Sequence, residues 1–145
     1  MRRRFCILLL SALLSAPQFG AAATDEEVQA RKTVLDLAGA FTNDGFKLRD
    51  GHWAGTVQPQ QRQLIAVNLY AGNQYWFSVG ASKPRKVAVD VYDETGRQIP
   101  AERYVSEEGE KAAAGFSPTA SGQYYVAVGL VEGEPGSVCL VYSYK

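Results

Sequence analysis

The chain has 145 residues, 46% apolar, 21% charged and 11% aromatic, with fifteen basic and fifteen acidic side chains that cancel. That length and balance fit one globular domain. They exclude a polybasic nucleic-acid binder, a multi-span membrane protein and a disulfide-stapled miniprotein.

The N-terminus reads as an export signal. Arg2, Arg3 and Arg4 form a positive start, Phe5 to Leu14 is apolar except for Ser11, and Ala21-Ala22-Ala23 supplies a small-residue cleavage site. That order marks a secretory signal peptide over residues 1–23 and a periplasmic or secreted product. The apolar run is about half the roughly 20 residues a spanning helix needs, so no membrane span is expected. Loss of the three arginines leaves twelve basic against fifteen acidic residues, a mature charge of about −3, which gives no general attraction to nucleic acid. Cys6 leaves with the signal, so Cys139 has no internal partner and reads as a small buried hydrophobe.

A helix opens the mature chain. Thr24 and Glu27 form a capping box, and Asp25, Glu26 and Glu27 suit the positive end of the helix dipole. Ala30, Val34, Leu37, Ala38 and Phe41 share one face at helical spacing. Asn43-Asp44-Gly45 is turn chemistry, so the helix should end near Thr42, with helix and turn together spanning 24–45.

From Gly51 onward the period changes to two. Ile65, Val67 and Leu69 alternate with Ala66 and Asn68; Tyr75, Phe77 and Val79 with Trp76 and Ser78; Val87, Val89 and Val91 with Ala88 and Asp90. The same holds for Tyr124, Val126, Val128 and Leu130, and for Val138, Leu140, Tyr142 and Tyr144. Each run has one apolar face, as half-buried antiparallel strands require. Weaker strands fall at Trp53–Val57, around Tyr104 and at Ala112–Phe116. Ala71-Gly72-Asn73 reads as a hairpin turn, and Asp93-Glu94-Thr95-Gly96 as a type I turn closed by a left-handed glycine. Lys83-Pro84-Arg85-Lys86 reads as a solvated basic loop, and Glu107-Glu108-Gly109-Glu110 as a solvated charge run. The fold class expected is all-β: a jelly-roll-like antiparallel β-sandwich of about eight strands over 46–145, with one N-terminal α-helix.

Three segments carry a resemblance. Leu69-Tyr70-Ala71-Gly72-Asn73-Gln74-Tyr75-Trp76-Phe77 looks like a strand–turn–strand segment of bacterial pre-peptidase C-terminal domains. Val87 to Gly96, ending Tyr92-Asp93-Glu94-Thr95-Gly96, is similar to another strand and turn of theirs. Phe116 to Val128, with Pro118, Gly122, Tyr124 and Tyr125, resembles a third. The resemblance covers roughly Gly51 to Tyr144 and implies a jelly-roll-like sandwich. It also implies an accessory or binding module, of the kind attached to secreted peptidases and other exported enzymes. Members often carry two alternating acids early in the second segment; Lys86 and Ala88 stand there in this chain, so the calcium role tied to those acids does not carry over. No metal and no cofactor is expected.

Little else in the chain carries chemistry. His52 is the single histidine, beside Asp50 at the mouth of a strand. There is no nucleophile elbow, no second histidine for zinc and no phosphate loop. The aromatic residues are the stronger signal. If Tyr75 and Phe77 face inward, Trp76 faces outward, and by the same parity so do Tyr70, Tyr92 and Tyr125, beside Asn68 and Asp90. Exposed aromatics with polar neighbours are suited to sugars or protein partners, unless the N-terminal helix lies on them. Trp76, Tyr92, Tyr125, Tyr70 and Asp90 are therefore the candidate ligand-binding residues. The favoured function is a non-catalytic exported binding or accessory module engaging a protein or glycan in the cell envelope. The alternative is a small periplasmic hydrolase using His52 and Asp50.

Overall fold

The computed structural model describes residues 23–145. The export signal expected over Arg2–Ala23 lies outside them, apart from Ala23. Helix α1 spans Asp25–Asn43. Thr24 caps it, its hydroxyl oxygen accepting the Glu27 N–H at 3.2 Å. Gly45, at φ +90°, takes the left-handed conformation that ends the helix. Ala30, Val34, Leu37 and Ala38 are buried as expected, and Thr33 joins them.

Nine strands follow: β1 Lys47–Leu48, β2 Trp53–Val57, β3 Arg62–Leu69, β4 Tyr75–Ala81, β5 Lys86–Tyr92, β6 Glu102–Val105, β7 Lys111–Phe116, β8 Gly122–Glu132 and β9 Gly136–Tyr144. They form two antiparallel sheets packed as a sandwich. The larger has six strands, β1-β9-β4-β7-β6 with β2 also on β9; the smaller has three, β3-β8-β5. From β2 onward the chain changes sheet at every connection except β6–β7, a jelly-roll-like winding. The expected parity holds. Val67, Leu69, Phe77, Val89, Val91, Val126, Val128 and Leu140 are all buried in one core.

Parity gives faces but not partners, and this corrects one expectation. Ala71-Gly72-Asn73 does not close a hairpin. β3 pairs with β8, and β4 with β7 and β9, so the turn carries the chain from one sheet to the other. The buried Tyr75 hydroxyl pins this corner, accepting the Tyr70 N–H at 2.9 Å and the Asn73 side-chain amide at 3.1 Å. The Asp93–Gly96 turn is as expected, with Gly96 at φ +84° and its N–H on the Asp93 carbonyl at 3.0 Å.

Helix α1 lies on the outer face of the larger sheet. Ala30, Val34 and Ala38 pack on Cys139 and Val141 of β9. The approach is close because β4 offers no side chain beneath Val34: a Cβ on Gly80 would stand 2.6 Å from the Val34 nitrogen. Arg85 fixes the helix start. Its guanidinium pairs with the Glu26 carboxylate at 2.6 Å and donates to the carbonyls of Glu134 and Pro135 and to the Ser82 hydroxyl. The segment read as a solvated basic loop is thus built into the fold. Lys83 pairs with Glu108, and Lys86 with Glu132 at 3.0 Å. The acidic run likewise reaches inward, since Glu110 is buried and accepts the Ser106 hydroxyl at 2.9 Å.

Two glycines separate packing from propensity. Gly80→Ala should cost about 1–3 kcal/mol, because the neighbour that must yield is helix backbone. Gly39, in the helix with nothing within 4 Å of a built Cβ, should become about 0.5–1 kcal/mol more stable as Ala. Denaturant midpoints at unchanged slope measure both. A neutral Gly80→Ala would mean that the helix does not rest on β4.

Candidate functional site

The outer faces of the two sheets differ. The face of the larger sheet carries Trp76, and the helix covers it. The indole lies over Gly115, where a Cβ would meet it at 2.9 Å. Phe41 stacks on it from the helix, with ring centroids 4.5 Å apart and planes 16° from parallel. Trp76 keeps one edge in a groove of about 410 Å³ beside Glu102 and Ser117. Its broad face is used by the fold.

Among the described residues, no helix lies over the face of the three-stranded sheet. Register sets its outward residues in rows. Ala66, Tyr125 and Tyr92 lie side by side across β3, β8 and β5; next come Leu64, Ala127 and Asp90, then Arg62, Gly129 and Ala88. The small central residues Ala127 and Gly129 leave a trough, a groove of about 530 Å³ walled by Arg62, Leu64, Tyr92 and Tyr125 with Glu94 at its rim. Leu64 is 64% exposed, an apolar side chain left in water.

Charge is arranged around one buried carboxylate. Asp90 is 5% exposed, although Leu64 and Ala66 on the same face are exposed. Arg62 crosses Gly129, its Cγ 3.6 Å from where a Cβ would stand, and reaches the Asp90 carboxylate at 2.6 Å. The same Arg62 nitrogen donates to the Tyr92 hydroxyl at 3.2 Å. From the flank, Arg103 of β6 pairs with the other Asp90 oxygen, which also accepts Gln98 Nε2 at 3.2 Å. Both arginine side chains remain about half exposed. Asp90 therefore holds two arginines in place, Arg62 on the wall of the groove and Arg103 on the flank. Arg62 is thus a fixed donor beside the two phenol rings.

The five ligand candidates are thus not one surface. Tyr92, Tyr125 and Asp90 come together on the three-stranded sheet. Trp76 is on the opposite side of the sandwich. Tyr70 stands at the β3–β4 corner, 58% exposed and away from both. Arg62 and Leu64 were missed, although continuing the β3 alternation two steps toward its start puts both on the outer face. Arg103 had no local signal, because only the closing of the sandwich flank brings it to Asp90.

His52 and Asp50 line a separate groove of about 380 Å³, between the β1–β2 segment and the edge of β3. Both are exposed. Among the described residues, no hydrogen bond joins them to each other or to a hydroxyl nucleophile. Nor does any group of three or more His, Cys, Asp or Glu among those residues stand ready for a metal ion. Asp93 Oδ1 serves its own turn, accepting from the Thr95 hydroxyl and from the Thr95 and Arg97 N–H groups. The Thr95 hydroxyl, with the Arg97 N–H, holds that carboxyl below its ordinary range. Among the described residues no helix is long and apolar enough to cross a membrane. No protein-family model matches the chain, and no curated protein matches it either.

Cys139 is free and buried under the helix. Burial pushes its thiol up to about 11, against a weaker opposing pull from Arg31. The thiol is a poor nucleophile at neutral pH. Thiol reagents should label the native protein only after unfolding. A thiol pKa raised in the fold means that the unfolded chain loses its proton first. Stability from this group is therefore full below about pH 9 and falls away as pH rises to about 11. Rapid labelling of native protein at pH 7 would contradict this.

Proposed function

We propose that this chain is a non-catalytic, exported binding module of the type the pre-peptidase C-terminal resemblance implies. Its ligand surface is the open face of the three-stranded sheet. Its ligand is a glycan or protein of the cell envelope, and the glycan reading fits the groove better. Two tyrosine rings offer apolar faces to a sugar ring. Arg62 on the groove wall, with the Glu94 carboxylate at the rim, matches ring hydroxyls as a donor and an acceptor. The observation that carries the reading is the Arg62–Asp90–Arg103 group. A buried carboxylate on an uncovered face contributes little to a core, yet it fixes two arginines toward solvent. The hydrolase reading rests on His52 and Asp50, which among the described residues have no hydrogen-bonded partner to activate a nucleophile.

Cosedimentation with purified peptidoglycan sacculi, followed by calorimetric titration with soluble sacculus fragments, tests the proposal. Tyr125→Ala and Tyr92→Ala should each weaken binding by roughly fivefold or more, as expected from about 1 kcal/mol of lost ring contact. Their melting temperatures should stay near that of the parent. Trp76→Ala should lower stability and leave binding in place. Wild-type binding by both tyrosine variants would overturn the assignment of this face. Loss of a hydrolytic activity on the same fragments in His52→Ala would favour the enzyme reading instead.

A further inference from the structure

We infer that the free edge of β3 is a docking site for an extended, uncharged peptide segment of a partner protein, which adds to the three-stranded sheet as a fourth strand. The inference starts from how the other sheet edges are closed. β5 is covered at both ends: Val87 N–H donates to the Gly109 carbonyl at 2.9 Å, and Ile99 N–H to the Val91 carbonyl at 2.8 Å. Between them Arg103 pairs with Asp90. β6 has four residues and begins with the charged pair Glu102-Arg103; β1 has two residues, and β2, an edge beside β9, has five. Short length, charge and cover are the ordinary devices that keep an edge from pairing.

β3 is not short, no described backbone segment pairs with its outer side, and its one charge, Arg62, is turned to Asp90 on the sheet face. It runs for eight residues in unbroken register with β8 and contains no proline, lysine or bulge. The direction of its backbone groups follows from β5. Val87 and Val91 turn their backbone away from β8, so Ala88, Asp90 and Tyr92 bond to Gly129, Ala127 and Tyr125. Those β8 residues face β5, so the alternate ones face β3 and meet Gln63, Ile65 and Val67. The Leu130 carbonyl, which accepts Gln60 N–H at 3.2 Å, agrees with this alternation. Arg62, Leu64, Ala66 and Asn68 therefore present their N–H and C=O groups outward. Among the described residues no backbone hydrogen bond reaches them.

A groove of about 380 Å³ runs beside this edge. Ile65 and Val67 form one wall, Leu140 and Tyr142 the floor, and the segment from Arg49 to Trp53 the other wall. It suits a few residues of one extended chain, paired by backbone to β3 with every second side chain on the apolar floor. Arg49 and Asp50 cancel on the far wall, and Arg62 is held by Asp90, which favours an uncharged occupant. A second copy meeting this one edge to edge would bring its own Arg49–Trp53 segment into the same space.

The probe is a synthetic peptide of about eight alternating threonines and valines, with two versions N-methylated on one or the other alternate set of residues. Amide spectra of the isotope-labelled protein should shift at Leu64, Ala66 and Asn68 on titration. One methylated version should bind and the other should not. Ala66→Pro removes an outward donor while leaving the β3–β8 bonds intact. It should weaken binding by roughly tenfold, with shifts elsewhere in the spectrum unchanged. Should that variant fail to fold, the two methylated peptides still decide. Equal binding of both versions, shifts confined to other residues, or no binding of the parent peptide would overturn the proposal. So would a dimer joined through β3 in sedimentation, which would give the edge to a second copy.

Discussion

The rest of the molecule depends on the contact between the main chain of helix α1 at Val34 and the bare backbone of Gly80 on β4. That contact decides which sheet face is covered. A side chain at position 80 would hold the helix off the sheet. Ala30, Val34 and Ala38 would then lose their packing on Cys139 and Val141. Burial of such a stripe is the main reason for an amphipathic helix of this length to form at all. The same seating brings Phe41 onto Trp76 and lets Glu26 meet Arg85, so both helix ends are tied by further side-chain contacts.

With one face closed, the three-stranded sheet is the exposed side of the sandwich. Its central strand, β8, is built to stay low there, with Ala127 and Gly129 between taller neighbours on β3 and β5. The trough is therefore a consequence of side-chain size in register. Asp90 adds the electrostatic part. A carboxylate this buried is costly unless it is paired and hydrogen-bonded, and here Arg62, Arg103 and Gln98 meet both of its oxygens. The sheet's two edges also differ. β5 is bonded at both ends by the chain that passes from Ile99 to Gly109, whereas among the described residues no backbone hydrogen bond reaches the outer side of β3.

Much of this was legible in the residues. Period-two alternation placed the core side chains correctly, because each strand has one dry face and a slip of one residue would wet it. Thr24, Asn43 and Gly45 marked the helix ends through capping chemistry that is local. The faces of Trp76, Tyr92 and Tyr125 followed from the same parity. The pairing of strands did not. Alternation is identical whether Ala71–Asn73 joins two strands of one sheet or turns from one sheet to the other, so Trp76 was grouped with tyrosines on the opposite side. The ion pairs of Lys83, Arg85, Lys86 and Arg103 join residues that only the closed fold brings together. A charged loop and a charged clamp look alike before that closure.

The division between a covered and an open face can be read directly from one indole. In a Trp53→Phe background, Trp76 is the remaining tryptophan, and its emission can be compared in the chain from Thr24 onward and in the same chain lacking the helix segment Asp25–Asn43. Removing the helix should shift the emission to longer wavelength and raise its quenching by acrylamide. Folding stability should fall by a few kcal/mol as the stripe and the indole become wet. Unchanged emission and quenching in a folded, helix-deleted chain would contradict the account, since Trp76 would then have been open to solvent throughout.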